Sequence, residues 1–305
     1  MHSSGFDGSF AIRHICSLFI AFTACMVAFA FNSCQKDGVY KPKKKISKIY
    51  TSEDGGDRIL QETWNWDGKV LTSITLNDDD VTINFNYDKK QLSSLSAGDE
   101  EIIYSYDGKL LKSITWMSDN EEVASYTFKH DGKFISGVDA VIDNGFMKNS
   151  RLLDVAFRGI DPTIAETQVT QFKACQAEAK GLYKYSDVYE YDHNNVIGLK
   201  RHDNNNNDFT YTFTYSKNLN PFYHLLAPEG LGDDVTGYGL SKNAVQSYHF
   251  EDTYISSRVI DMEITFPKLD GKYPVEETRT EKTTHTVGNL TNIYTNVTTY
   301  YYEYE

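Results

Sequence analysis

The chain has 305 residues, a formal net charge of −13, and 14% aromatic and 40% hydrophobic side chains. That is enough apolar material to bury the core of one large domain or two small ones, and it excludes a disordered chain. No basic block occurs outside Lys41 to Lys45, which excludes nucleic acid as a partner, because neutralising phosphates needs clustered Lys and Arg.

In chain order, the first feature is the uncharged apolar run Ile15 to Phe31, with Arg13 before it and Ser33-Cys34 after it. This is the layout of a secretory signal and its cleavage site. The run is 17 residues long, the lower limit for a membrane-spanning helix, so an uncleaved anchor is the second reading. Its tail, Phe31-Asn32-Ser33-Cys34, resembles a bacterial lipobox, which implies that Cys34 is acylated and becomes the first residue of the mature chain. Phe31 and Asn32 depart from the usual Leu and small residue, and Asp7 is unusual in a signal. Gln35-Lys36-Asp37 is similar to the export tag of Bacteroidetes-type surface lipoproteins. The expected organisation is a signal peptide over 1–33, a tether over 34–45 and a folded domain over 46–305. The expected location is the outer membrane, held by a lipid, facing outward; the periplasmic face is the alternative. Of the four cysteines, cleavage and acylation leave only Cys175 as a thiol, so no intrachain disulfide is expected. No His with an orienting partner is recognisable beside Cys175, which reads as a buried structural residue.

The folded domain opens with a repeated phrase: Trp64-Asn65-Trp66-Asp67-Gly68-Lys69, Tyr104-Ser105-Tyr106-Asp107-Gly108-Lys109 and Phe128-Lys129-His130-Asp131-Gly132-Lys133. Weaker copies are Phe85-Asn86-Tyr87-Asp88, Tyr189-Glu190-Tyr191-Asp192 and Phe213-Thr214-Tyr215-Ser216. The first four copies are separated by 21, 19 and 24 residues, the length of one β-hairpin, and Asp-Gly between apolar runs is a strong hairpin signal. The expected fold class is therefore all-β: a large antiparallel meander of repeated hairpins forming a curved sheet, with one or two short helices inserted. With Asp-Gly as the two loop residues, Trp66 would face Lys69 and Trp64 would face Leu71 on one side. Tyr104, Tyr106 and Leu111 would repeat that side, and Val70, Ile74, Leu110 and Ile114 would lie on the other. Lys89 replaces Gly in the second copy, at a cost of about 1 kcal/mol if it takes a positive φ. Asp192-His193-Asn194 reads as a three-residue loop with Asn194 left-handed.

Past the hairpins, Ala165, Val169, Phe172, Cys175, Ala179 and Leu182 recur at helical spacing after Asp161-Pro162, with Gly181 near the end, predicting an amphipathic helix over about 162–180. Asn220-Pro221 begins a short helical turn, 222–227, stopped by Pro228. Strands follow near 243–251 and 255–266, and then a last long hairpin turning at Gly288-Asn289.

The Tyr-x-Tyr-Asp-Gly-Lys phrase, Asn220-Pro221-Phe222 and Leu240-Ser241-Lys242-Asn243 together resemble a family of uncharacterised exported Bacteroidetes lipoproteins with a domain of unknown function. More distantly, the phrase is similar to the tyrosine-aspartate repeats of Rhs-type proteins, which build curved antiparallel sheets. The resemblance spans about 46–305 and implies no catalytic residue.

Candidate chemical sites are sparse. Asp203-Asn204-Asn205-Asn206-Asn207-Asp208 alternates oxygens like a calcium loop, but it lacks the central Gly and has Thr214 where the bidentate Glu belongs, so it reads as a hairpin loop. Asp78-Asp79-Asp80 reads as a solvated turn between strands ending at Leu76 and starting at Val81. His193 and His202 are separated by about 30 Å along a regular strand, too far to share an ion. No phosphate-binding loop, nucleophile elbow or zinc-protease helix occurs, so no catalytic residue, metal or cofactor is expected. Trp64, Trp66, Tyr104 and Tyr106, with Trp116 elsewhere, are the candidate ligand face, on which sugar rings would stack; the alternative is that these rings are core. Three functions compete: a non-enzymatic surface lipoprotein binding a glycan or an envelope protein, a structural part of an envelope assembly, and an enzyme with a loop-built site.

Overall fold

A computed structural model of the chain describes residues 42–77, 80–89, 91–132, 134–143, 182–223, 241–252, 257–287 and 290–305. The apolar run, Cys34, the 162–180 helix with Cys175, the end of the 222–227 turn and the Gly288-Asn289 turn lie outside these residues.

Sixteen strands follow one another: β1 (Ile46–Glu53), β2 (Ile59–Asp67), β3 (Val70–Leu76), β4 (Val81–Asp88), β5 (Gln91–Ala97), β6 (Glu100–Asp107), β7 (Leu110–Ser118) and β8 (Glu121–Asp131). They continue with β9 (Phe134–Asp143), β10 (Leu182–Asp192), β11 (Asn195–Asp203), β12 (Asp208–Leu219), β13 (Asn243–Asp252), β14 (Ser257–Asp270), β15 (Tyr273–Val287) and β16 (Leu290–Tyr304). Each pairs antiparallel with its neighbour in the chain, so the meander of consecutive hairpins is present as expected. The sheet is a closed barrel rather than an open curve, because β1 returns beside β16, from Ile46↔Tyr304 to Glu53↔Thr298. Closure pairs the two edges that a meander would otherwise leave free, over the length of β1. Among the described residues there is no helix.

The hairpins turn one residue later than Asp-Gly chemistry predicts. Asp67 pairs with Val70, leaving Gly68 and Lys69 as the loop, and Trp66 faces Leu71 rather than Lys69. Only the glycine is left-handed, with φ of +55° at Gly68 and +61° at Gly108 and Gly132. Lys89 does take the glycine slot, at φ +47°. In the β10–β11 hairpin His193 (φ +58°), not Asn194, is left-handed, and the loop has two residues, because Asp192 pairs with Asn195.

A second departure matters more. The register shifts between Asn65 and Trp66, Asn86 and Tyr87, Ser105 and Tyr106, Lys129 and His130, and Glu190 and Tyr191. Each shift is a β-bulge two residues past the loop, and the extra residue reverses the alternation of the returning strand. Leu71 and Ile74, three apart, therefore share the inner face and are both 0% exposed. Leu92 with Leu95, Leu111 with Ile114, Ile135 with Val138, and Val196 with Leu199 repeat the arrangement, all buried. The expectation that Ile74 and Ile114 lie opposite Leu71 and Leu111 is thus corrected: the bulge gathers both apolar sets on one side. The other side is left to Asn65, Thr72, Thr82, Asn86 and Lys112, all exposed. Its cross-strand contacts are polar, such as Asn65 Nδ2 to Ser73 Oγ (3.1 Å) and Thr75 to Thr82 (3.1 Å).

The bulge also explains why the residue before Asp is aromatic. It points inward, and at several of these positions, as at the matching Tyr215 and Tyr304, its polar atom reaches a main-chain oxygen of an earlier strand. Tyr87 Oη donates to Leu71 O (2.9 Å), and Tyr215 Oη donates to Val196 O. Trp66 Nε1 donates to Ile46 O (2.7 Å) and Tyr304 Oη to Pro274 O (2.6 Å), while His130 Nε2 lies 2.7 Å from Leu111 O. Tyr106 holds the same place, yet its buried hydroxyl has no hydrogen-bond partner. Tyr87→Phe is accordingly expected to cost about 1 kcal/mol, whereas Tyr106→Phe should be neutral or slightly stabilising; urea denaturation of the two variants compares them directly.

Candidate functional site

The four rings of the candidate ligand face all point into the barrel. Trp64 is 3% and Tyr104 6% exposed. Trp66 and Tyr106, two residues nearer the turns, are partly buried against the same core. The indoles of Trp64 and Trp66 stack with centroids 6.5 Å apart, and Trp64 Nε1 donates to Glu62 Oε2 at 2.8 Å. Trp116 is also core, at 2% exposure. Burial pushes the Tyr104 phenol well above its ordinary pKa, with the neighbouring phenols Tyr106 and Tyr87 adding to the shift. The parity argument thus groups the rings on one face, and the closure of the sheet turns that face inward.

Asn220-Pro221-Phe222 and Ser241-Lys242-Asn243 pack together beside the core. Phe222 is buried, its ring 6.2 Å from that of Trp64 and 5.9 Å from that of Tyr302. Asn220 shapes this insertion: its Oδ1 accepts from Phe222 N at 2.9 Å, and its Nδ2 donates to Ser241 O at 3.0 Å. Ser241, fully buried, accepts at Oγ from Val196 N (3.0 Å) and lies 2.8 Å from Tyr215 Oη. Asn195 and Asn243 bond each other, Asn195 Nδ2 to Asn243 Oδ1 and Asn243 N to Asn195 Oδ1. Asn220-Pro221-Phe222 and Ser241-Lys242-Asn243 therefore cooperate as structural elements. Sequence spacing could not have joined them, because they meet only across the β12–β13 connection.

Charge enters the interior on β10, β11 and β15. Arg201 holds Asp187 in a bidentate pair, Nε to Oδ1 at 2.7 Å and the second nitrogen to Oδ2 at 2.8 Å, with 4% and 1% exposure. The guanidinium also lies 3.6 Å from the centre of the Tyr185 ring. Arg279 Nε donates to Glu277 Oε1 at 2.7 Å and sits 4.2 Å over the ring of Tyr300. Sequence reasoning missed both pairs. Their signal was a charged residue at an inward position of a strand, which is readable only once the inner parity is known.

The remaining candidates are structural. Asp203 Oδ1 accepts from the backbone of Asn205 (2.9 Å) and Asn207 (2.8 Å), so this carboxylate closes its own hairpin loop. Asp80 belongs to the turn between β3 and β4; Asp78 and Asp79 lie outside the described residues. His193 and His202 sit at opposite ends of β11, against Asp192 (2.6 Å) and Asp208 (2.8 Å) respectively. Among the described residues no group of His, Cys, Asp and Glu is arranged to hold a metal ion.

A fourth Asp-Gly-Lys turn, Asp270-Gly271-Lys272, joins β14 to β15. The sequence signal was present, but the residues before it, Lys268-Leu269, lack the aromatic pair. At the end of the barrel opposite this turn the wall rises past Glu53, the last residue of β1. β14, β15 and β16 continue as a three-stranded sheet in which Ser257 faces Thr286 and Thr286 faces Thr291. Here Leu290 is 74%, Tyr294 63% and Ile293 59% exposed.

No protein-family model matches the chain, and no curated protein does either. Among solved structures, the chain is similar to a porin-like protein from Bacteroides uniformis, with 12% identity, a TM-score of 0.48, and coverage of 88% of this chain and 100% of that one.

Proposed function

We propose that the protein is a non-enzymatic docking module, tethered to the outer membrane through Cys34 and facing outward, that engages an envelope protein. One observation carries this reading: the large apolar side chains of the strands are buried on the inward side of the barrel, while its outer side is mostly polar. A pore of sixteen strands needs a water-filled interior and a lipid-facing apolar band. In this chain Leu71, Ile74, Ile83, Leu95 and Ile102 are fully buried inside, and the outer ladder is mostly Ser, Thr, Asn and charged residues, interrupted by the exposed Ile103, Val188 and Ile197 rather than by a continuous apolar band. A polar exterior calls for a separate membrane attachment, which an acylated Cys34 would supply. The first strand begins at Ile46, at the end where the Asp-Gly turns gather.

An envelope protein is favoured over a glycan because the candidate stacking rings are core, and Tyr294 is the one aromatic among the strongly exposed large apolar residues described. Mass spectrometry of the native N-terminal peptide, combined with single-channel recording of purified protein in planar bilayers, tests the reading. A diacylglyceryl group on Cys34 and no conductance are expected. An unmodified Cys34, or discrete conductance steps, would overturn it.

A further inference from the structure

We infer that the β14–β16 extension pairs with the same strand of a second copy, β16 against β16, to make a two-fold dimer. The inference concerns the free edge of this sheet and stands independently of how the chain is anchored.

β1 covers β16 only from Thr298 onward, the last contact being Asp54 N to Val297 O at 3.0 Å. Among the described residues, Leu290 to Asn296 have β15 on one side and nothing on the other. Such edges are ordinarily blunted by Lys, Pro, a bulge or short length. This one has none of those devices. From Leu290 to Tyr302 the sequence is Leu-Thr-Asn-Ile-Tyr-Thr-Asn-Val-Thr-Thr-Tyr-Tyr-Tyr, without a charge, a proline or a glycine, in a chain that is 24% charged. The adjoining stretch of β15 carries Arg279, Glu281 and Lys282, so the neutrality belongs to the edge strand and not to the sheet.

Charge selects the occupant. A partner recognised by electrostatic complementarity would need charges on this edge, and there are none. A second copy brings a strand of the same neutral composition, and at a two-fold axis each side chain meets its own kind or a near neighbour without like-charge repulsion. The register follows from the backbone. Because Val297 O points to the β1 side, the main-chain groups of Thr295, Ile293 and Thr291 point to the same open side. A two-fold axis at Ile293 sets Ile293 opposite Ile293 of the other copy, Thr291 opposite Thr295, and Asn292 opposite Tyr294. These are apolar, Thr-Thr and polar-aromatic pairs, with the outward main-chain groups of all three odd residues satisfied. The pairing also covers Leu290, Ile293 and Tyr294, three of the most exposed large apolar side chains described.

The test uses the full-length chain as purified in detergent and measures protein mass by light scattering. The parent is expected at twice the protomer mass. Ile293→Lys and Ile293→Glu, each of which sets a charge against its own copy, should run as protomers, and an equimolar mixture of the two should regain the doubled mass. Because Ile293 is exposed in the protomer, both variants should still fold, with an unchanged far-ultraviolet circular-dichroism spectrum, while losing only the stability that dimerisation adds. If either fails to fold, Ile293→Cys in the otherwise unaltered chain decides: oxidation should give a disulfide-linked dimer that the parent does not form. A parent of protomer mass, a dimer that both charge variants leave intact, or no cross-link through Cys at this position would overturn the inference.

Discussion

Replacing Trp64 with Ala should destabilise the barrel by about 3–5 kcal/mol, the range for truncating a buried aromatic. The ring is 3% exposed, stacks on Trp66 and touches Phe222, so its loss opens a cavity where the barrel wall meets the inserted Asn220–Phe222 segment. It also removes the Nε1 donor that Glu62 accepts inside the barrel. Trp64→Phe keeps much of the buried area but not the donor, and should fall between Ala and the parent. Chemical denaturation orders the three proteins. A Trp64→Ala protein as stable as the parent would mean that the indole is not a core element.

Arg201→Met should cost a similar amount, about 3–5 kcal/mol, for a different reason. It leaves the Asp187 carboxylate in the interior without its bidentate guanidinium, and an uncompensated buried charge is far more costly than a missing contact. The side chains are 4% and 0% exposed, so solvent cannot take over the guanidinium's role. Changing both residues together, Arg201→Met with Asp187→Leu, removes the charge and its cation at once. The double variant should be much closer to the parent in stability than Arg201→Met alone, and can equal or exceed it. Equal destabilisation in the single and double variants would show that the site depends on packing and not on charge pairing. A double-mutant cycle in urea supplies the comparison.

How far the chain can be read without coordinates is clearest in the hairpins. The period of Trp66, Tyr87, Tyr106 and His130 determines the meander, because each phrase pairs an apolar strand with a loop residue that tolerates positive φ. The break between Leu76 and Val81 and the left-handed Lys89 are legible for the same local reason. What the sequence conceals is the bulge. A one-residue slip exchanges the two faces of a strand, so a period-two reading separates Leu71 from Ile74, where the folded chain joins them. Nothing near Thr72 announces that the extra residue lies there, and the Tyr87 hydroxyl that donates to the Leu71 carbonyl comes from the neighbouring hairpin.

The sequence by itself determined the all-β meander, its hairpin period and the sharing of one face by Trp64, Trp66, Tyr104 and Tyr106, because these follow from backbone parity and turn chemistry within some twenty residues. Only the tertiary structure decided that the sheet closes, that the aromatic face is the inside, and that Arg201 has Asp187 and Arg279 has Glu277. Closure depends on β1 meeting β16 from opposite ends of the domain, and no local preference encodes which side of a strand will be enclosed. The exposed edge of β16 has the same origin: its neutral residues are unremarkable in the sequence and acquire meaning because β1 stops short of them.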